Sequence, residues 1–503
     1  MAAAIPVVQT RAGQVRGSVE NGAAVFRGIP FAKPPVGQLR FRAPEPPEPW
    51  EGVRDATAFG LRAPQAPFPG VPREAAGPAD TGEWLTVNVW TPDPGARSLP
   101  VLVWIHGGAY LFGSAADDGY DGGRFARAGA VFVSCNYRLG LEGFAEIPGA
   151  PANRGLLDLV AALRWVRDNA ERFGGDPENV TVFGESAGAG AISGLLAMDR
   201  ARGLFRRAIA QSVPGTVFTP GLAADITNAI AAAAGVAPTF EALSATAPMR
   251  LVDAQMAVTG RMRQFPQWGA VRLTDTPFSP VVDGEVLPRA PWRALLSGVA
   301  RDVELLTGHN RDEYRLFIAA SGRLGKITDQ DAATVLDAFA PAPDGPAGYR
   351  KAYPDADAGR LFELAFSDWL FRMPTLHLAQ AHAASGGKTF LYELRAEAPG
   401  SGGVFGACHA LDVPLVFGEP GALGQMLTGE QPPAEFVALG DLMRSDWLRF
   451  AACGDPGWQV YGAERRTTRI YDLQPDVAPY PEDASMRLWE RHQFDTLDLA
   501  PVG

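Results

Sequence analysis

Cysteine is scarce in this 503-residue chain: Cys135, Cys408 and Cys453 lie far apart, match no metal-ligand spacing and cannot all pair. Neither a zinc site nor a disulfide framework is expected, and a reducing, cytoplasmic setting is. Lysine is scarcer for its usual frequency, with Lys33, Lys326, Lys351 and Lys388 alone, while the arginines are scattered among acids and the formal net charge is −11. Without clustered cations there is nothing to displace counterions from a nucleic acid or to hold an anionic membrane surface, so both are excluded as partners. No apolar run approaches the roughly 18 residues a spanning helix needs. Met1 to Arg11 has a short apolar stretch with no basic residue before it and no convincing cleavage site, so it reads as the start of a strand through Val7-Val8-Gln9-Thr10 and not as an export signal. Internal repeats and low-complexity linkers are also missing.

What is present is an alternation of strand and helix. Val101 to Ile105 and Ala130 to Asn136 are apolar runs, each followed by a loop, and Leu156 to Phe173 has amphipathic helical spacing. Such an order predicts an α/β fold with a central, mostly parallel twisted sheet and helices on both faces. Sites in such sheets form beyond the carboxyl ends of the strands. The first 98 residues differ, with Ile29-Pro30, Pro34-Pro35 and the prolines from Pro44 to Pro49, and read as antiparallel edge strands and ordered loops. Residues 215–300 and 315–388 hold helical stretches such as Leu222 to Ala234 and read as insertions roofing the site. One catalytic domain over residues 1–503 is expected, since large α/β folds exceed the usual domain size.

Residues 180–190 read Val-Thr-Val-Phe-Gly-Glu-Ser-Ala-Gly-Ala-Gly, which centres Ser186 in a Gly-x-Ser-x-Gly pentapeptide between a β-branched, aromatic run and the helix-like Ala187 to Met198. This is the pattern of a nucleophile elbow, where a serine on a sharp strand-to-helix turn exposes its Oγ and only small neighbours fit. Gly188, Gly190 and Gly194 also resemble a dinucleotide loop, but the last glycine is one position late, so no nicotinamide cofactor is expected. No other cofactor and no metal is implied.

A serine hydroxyl needs a base within hydrogen-bond reach and a third group to orient that base. With the serine first in chain order, acid and then histidine should follow. His106 precedes Ser186; His377 and His382 fall in a helical pattern typical of boundary residues, and His492 in a polar tail. His409 follows the strand-like Phe390 to Leu394 on a Gly-rich loop and is the leading base. Strand-like Val303 to Leu306 precedes Asn310-Arg311-Asp312-Glu313, which reads as a helix start and leaves Asp312 and Glu313 both open as the acid. His106-Gly107-Gly108-Ala109 can turn bare backbone amides toward an oxyanion, and Ala187 adds the N–H after the nucleophile. Losing one such donor costs roughly 3–4 kcal/mol of barrier.

With these residues in place the chain resembles the type-B carboxylesterase and cholinesterase family of α/β-hydrolases, in its bacterial branch. The likeness runs nearly end to end, through Phe26 to Ala32, His106-Gly107-Gly108, Asn136-Tyr137-Arg138, Asn153 to Asp158, Phe173 to Pro177, the elbow, Gln211-Ser212, Pro280 to Gly284, Arg311-Asp312-Glu313, Gly406 to His409 and Gly454-Asp455-Pro456. The resemblance implies Glu313 as the acid, His409 as the base, Gly107, Gly108 and Ala187 as oxyanion donors, and Ser212 as support for the acid–histidine pair. It also exposes departures. Glu83-Trp84-Leu85 stands where many relatives begin a disulfide loop, Leu159 where glutamine is usual, and Tyr314 where glycine is common and where it would narrow the pocket. The expected reaction is hydrolysis of a small-molecule ester, with a short to medium acyl or an aryl group. A carbamate or amide hydrolase with the same residues is the alternative, and a silent cholinesterase-like binding module is disfavoured because Ser186, Glu313 and His409 are all present. Phe265, Trp268, Phe317 and Met373 are candidate apolar linings of the pocket, with ordinary core the favoured reading for them.

Overall fold

From Val101 to Ile105 successive side chains enter two separate apolar layers: Val101, Val103 and Ile105 join one, Leu102 and Trp104 the other. That period of two, apolar on both sides, makes a strand buried on both faces. The computed structural model describes residues 5–67 and 82–501, and Met1 to Ala4 of the expected N-terminal strand lie outside that range.

The main sheet is built from β1 (Ser18–Glu20), β2 (Ala23–Pro30), β3 (Thr86–Thr91), β4 (Leu99–Ile105), β5 (Val131–Cys135), β6 (Gly175–Glu185), β7 (Arg207–Gln211), β8 (Glu304–Asn310), β9 (Thr389–Leu394), β10 (Thr467–Tyr471) and β11 (Asp476–Pro479). Its spatial order is β11-β10-β9-β8-β7-β6-β4-β5-β3-β2-β1. The strands from β5 across to β10 run parallel, and antiparallel pairs close both edges. Val7–Gln9, Gln14–Arg16 and Val53–Asp55 form a separate small sheet. The expected mostly parallel sheet with antiparallel N-terminal strands is thus present.

Helices α1 (Arg154–Asn169) and α2 (Ala187–Ala197) pack on one face, in the apolar layer that holds Val101, Val180 and Val182, and α3 (Pro220–Ala234) adds Leu222, Ile226 and Ile230 to that layer. The segment expected as one helix to Phe173 tightens after Asn169 into a 3₁₀ turn that ends at Gly174, whose φ of 86° suits glycine. Thr219 caps α3 by accepting the Leu222 N–H, and Gly235 closes it with φ 71°. Then follow α4 (Arg315–Ala320), α5 (Ala358–Ser367), a single π-helical turn (Asp368–Arg372) and α6 (Met373–Ala384). On the opposite face α7 (Asp412–Phe417) and α8 (Ala434–Cys453) cover Trp104, Phe132 and Phe183, and α9 (Asp483–Trp489) follows near the C-terminus.

Two readings of local sequence need correction. Asp312 and Glu313 do not start a helix, because their carboxylates fold back on neighbouring chain and α4 begins only at Arg315. His382 is not a boundary residue but is wholly buried, since Thr389 Oγ1 at 2.7 Å and the Ala300 carbonyl at 3.1 Å satisfy both ring nitrogens. All three cysteines are free, Cys135 and Cys408 inside and Cys453 exposed. Among the described residues no helix is long and apolar enough to cross a membrane.

Candidate active site

The parallel register brings five chain segments out at one edge. Ile105 pairs with Gly184, Glu185 with Gln211, Gln211 with Gly308, and Asn310 with Leu394. His106, Ser186, Ser212, Glu313 and the loop to His409 therefore all follow the carboxyl ends of adjacent strands.

Ser186 sits between β6 and α2 with φ 56° and ψ −123°, a conformation that costs a non-glycine residue about 1–3 kcal/mol and persists only where surrounding structure enforces it. That structure is visible: the Ser186 N–H donates to the Gln211 carbonyl at 2.9 Å, and a Cβ on Gly184 or Gly188 would come within 2.6 or 2.1 Å of the Ile105 carbonyl oxygen. Glycine is needed there because α2 is pressed onto the end of β4. Ser186 is half-buried, and among the described residues its Oγ makes no hydrogen bond.

Beside it the His106 loop turns back. A Cβ on Gly107 would approach Ser186 Cβ to 3.2 Å, and Gly108 has φ 107° with the Phe112 carbonyl oxygen 2.0 Å from where its Cβ would be. Among the described residues the N–H groups of Gly107, Gly108 and Ala187 donate to nothing, while the loop is fixed by its other groups. His106 stacks on Tyr137 at 4.6 Å, and the Tyr137 hydroxyl donates to the His106 carbonyl at 2.8 Å. Three unpaired donors around a half-buried hydroxyl suit a developing oxyanion.

Glu313 is buried and its carboxylate is fully engaged. Oε1 accepts from Ser212 Oγ at 2.6 Å and the Asn310 N–H at 2.8 Å; Oε2 lies 2.5 Å from His409 Nδ1. Burial alone would raise this carboxyl, but the His409 charge and the bonds from His409, Ser212 and Asn310 outweigh it and hold the group below its ordinary value. The imidazole of His409 stacks on Phe371 at 4.2 Å, with Phe317 at 5.3 Å. Its Nε2 lies 3.1 Å from Glu185 Oε1. Burial opposes a charge on His409, yet the neighbouring Glu185 and Glu313 carboxylates and the Nδ1 bond raise it to about 9. Burial likewise pushes Glu185 up, to about 8, with His409 opposing and Asp412 and Glu313 adding to the rise. The two shifts compete, since a protonated Glu185 no longer raises His409; the Glu313 contribution to His409 persists in either case.

A model of the carboxylesterase family matches residues 4–468. The chain is 36% identical to the para-nitrobenzyl esterase of Bacillus subtilis over 95% of its length and 96% of that protein. This chain belongs to the carboxylesterase family. It is 34% identical to the phenmedipham hydrolase of Pseudarthrobacter oxydans, covering 90% of each chain. Its fold superposes on the crystal structure of the Geobacillus stearothermophilus carboxylesterase EST55 with a TM-score of 0.84, at 34% identity over 96% of this chain and 99% of that one. It is a carboxylic ester hydrolase of the α/β-hydrolase fold.

In this carboxylesterase Ser186, Glu313, His409, Ser212, Gly107, Gly108 and Ala187 converge on one strand edge, whereas Trp268 and Met373 are wholly buried core. Phe265 stacks on Trp268 at 4.1 Å. Phe317, 37% exposed, reaches the His409 ring at 5.3 Å. Tyr314 turns its ring onto Phe366 at 3.8 Å, with Phe317 5.0 Å away, so its bulk joins this aromatic wall. Sequence reasoning missed Glu185 and Phe371. A carboxylate inside the elbow was a readable signal for the first; the second depends on the π-turn, which no periodicity announces.

Proposed function

We propose that the carboxylesterase works through Ser186, His409 and Glu313. The observation that carries this is the Glu313 Oε2–His409 Nδ1 contact of 2.5 Å, which fixes the imidazole with Nε2 turned to the elbow side. His409 Nε2 leaves its Glu185 contact and takes the proton of Ser186 Oγ as that oxygen bonds to the ester carbonyl carbon. The carbonyl electron pair moves to oxygen, which the N–H groups of Gly107, Gly108 and Ala187 receive. Collapse of the adduct breaks the bond to the alcohol, and the imidazolium supplies its proton. Water then gives a proton to His409 and attacks the acyl-enzyme; the second collapse releases the acid and returns the proton to Ser186 Oγ. Ser212 and Asn310 hold Glu313 ionised throughout.

The chain serves as one catalytic unit in the cytoplasm, with the helices of residues 215–300 and 315–388 as its roof. The aromatic wall of Phe317, Phe371 and Tyr314 favours esters with a short to medium acyl or an aryl group. Ser186→Ala should lower turnover of a nitrophenyl ester by on the order of 10⁴-fold or more with the fold intact, and wild type should form a Ser186 adduct with a fluorophosphonate. Near wild-type rates in Ser186→Ala, or labelling elsewhere, would overturn the reading. Comparing matched ester and anilide substrates tests the bond: faster anilide cleavage would make it an amide hydrolase.

A further inference from the structure

Asp312 stands next to the proposed acid, yet it faces the other way. Its carboxylate is 2% exposed and meets three parts of the chain at once. Oδ2 accepts from Arg311 Nη2 at 2.7 Å and from the Ala407 N–H at 3.1 Å; Oδ1 accepts from Arg360 Nη1, on α5, at 3.1 Å. The Asp312 N–H in turn donates to the Ala407 carbonyl at 2.8 Å. The next two residues continue the seam: the Cys408 carbonyl accepts from Asn310 Nδ2 at 2.7 Å, and the His409 N–H donates to the Glu313 carbonyl at 3.2 Å. Gly406, with φ 57°, passes so close that a Cβ there would lie 2.7 Å from Asp312 Oδ2. The segments bearing acid and base are thus stitched together at three consecutive residues, and the first stitch is made by both the backbone and the side chain of Asp312.

We infer that Asp312 is a positioning residue for His409: its carboxylate, clamped by Arg311 and Arg360, holds the base loop against the acid loop so that Glu313 Oε2 and His409 Nδ1 stay in contact. This rests on the proposed roles of Glu313 and His409. The charge is retained, because burial, which opposes it, is outweighed by the hydrogen bond and charge of Arg311 and the charges of Arg360 and Arg315, which keep Asp312 at about 2. Arg360 also bonds Glu363 Oε1 at 2.6 Å, and Arg315 bonds Glu363 Oε2 at 3.0 Å, so the clamp extends into α5, which leads directly to the π-turn carrying Phe371. Displacing a catalytic group by about 1 Å costs on the order of 10²-fold in rate.

The test is the pH dependence of nitrophenyl-ester turnover and of fluorophosphonate labelling in Asp312→Ala and Asp312→Asn, with the thermal midpoint measured alongside. Asp312→Ala should lose about 10²-fold in kcat with KM little changed, and its acid limb should move to lower pH as His409 loosens from Glu313. Asp312→Asn keeps an acceptor for the Ala407 N–H and should fall between it and wild type. Should Asp312→Ala not fold, Arg360→Met strips one cation and should give a smaller rate loss with the same direction of pH shift. Variants that lose only thermal stability, with kcat and the acid limb unchanged, overturn the positioning role. Failure of wild type itself to label at Ser186 overturns instead the reading on which the inference stands.

Discussion

The nucleophile side of the site and the acid–base side are made of different materials. Around Ser186 the geometry is backbone: φ values of 56° at Ser186 and 107° at Gly108, and glycines whose missing Cβ atoms leave room for the Ile105 and Phe112 carbonyls. Around His409 it is largely side chain: Ser212 Oγ donates to the Glu313 carboxylate, Arg311 and Arg360 donate to the Asp312 carboxylate, and Asn310 Nδ2 donates to the Cys408 carbonyl. The first arrangement leaves no room for an added Cβ at Gly108, Gly184 or Gly188. The second depends on which groups hold protons.

That contrast can be broken from either side. Glu313→Gln keeps volume and removes charge, and should lower kcat/KM for a nitrophenyl ester by on the order of 10⁴-fold with circular dichroism unchanged; retention of the rate would mean that the imidazole is oriented by something else. Gly188→Ala adds one methyl group 2.1 Å from the Ile105 carbonyl oxygen. It should act through the fold, costing about 3 kcal/mol, the top of the usual overpacking range. A urea midpoint equal to wild type would refute the claimed rigidity. Ser212→Ala deletes one charge-assisted bond to Glu313, worth about 1.5 kcal/mol, or roughly tenfold in rate, readable from steady-state kinetics.

The subtlest expectation concerns pH. His409 acts as a base only when neutral, and its pKa is raised, so activity should climb with pH along an acid limb lying above the ordinary histidine value of 6.5. Glu185→Gln removes one of the charges that raises His409 and should move that limb to lower pH. The same limb should stay in place in Gly188→Ala, and a shift there would blur the two sides.

The difference between the two sides also explains what could be read beforehand. The elbow was legible because the close approach of the Ile105 carbonyl demands glycine at 184 and 188, and an apolar strand before it sets its depth. The strands themselves were legible as continuous apolar runs such as Val101 to Ile105, whose side chains enter both apolar layers. Chain order together with a loop position past a strand end selected His409, but Asp312 and Glu313 both stayed open until the likeness to relatives separated them. Neighbouring carboxylates differ only in which way the turn aims them, and that is decided by Arg360 and Ala407, remote in sequence. Phe371 was hidden for a related reason, since a π-turn offsets the helical face by one residue. His382 was misread because its partners, Thr389 and Ala300, are likewise supplied by other segments.

The sparse thiols give this enzyme a built-in clock. In the folded state Cys453 alone meets solvent, whereas Cys408 is sealed in the chain directly before His409 and burial pushes its thiol well above the ordinary range. A thiol reagent should therefore count one site per native molecule and three after unfolding. Any modification of Cys408 under native conditions would time the opening of the segment that carries the base, so the rate at which this site comes apart can be followed without adding a probe.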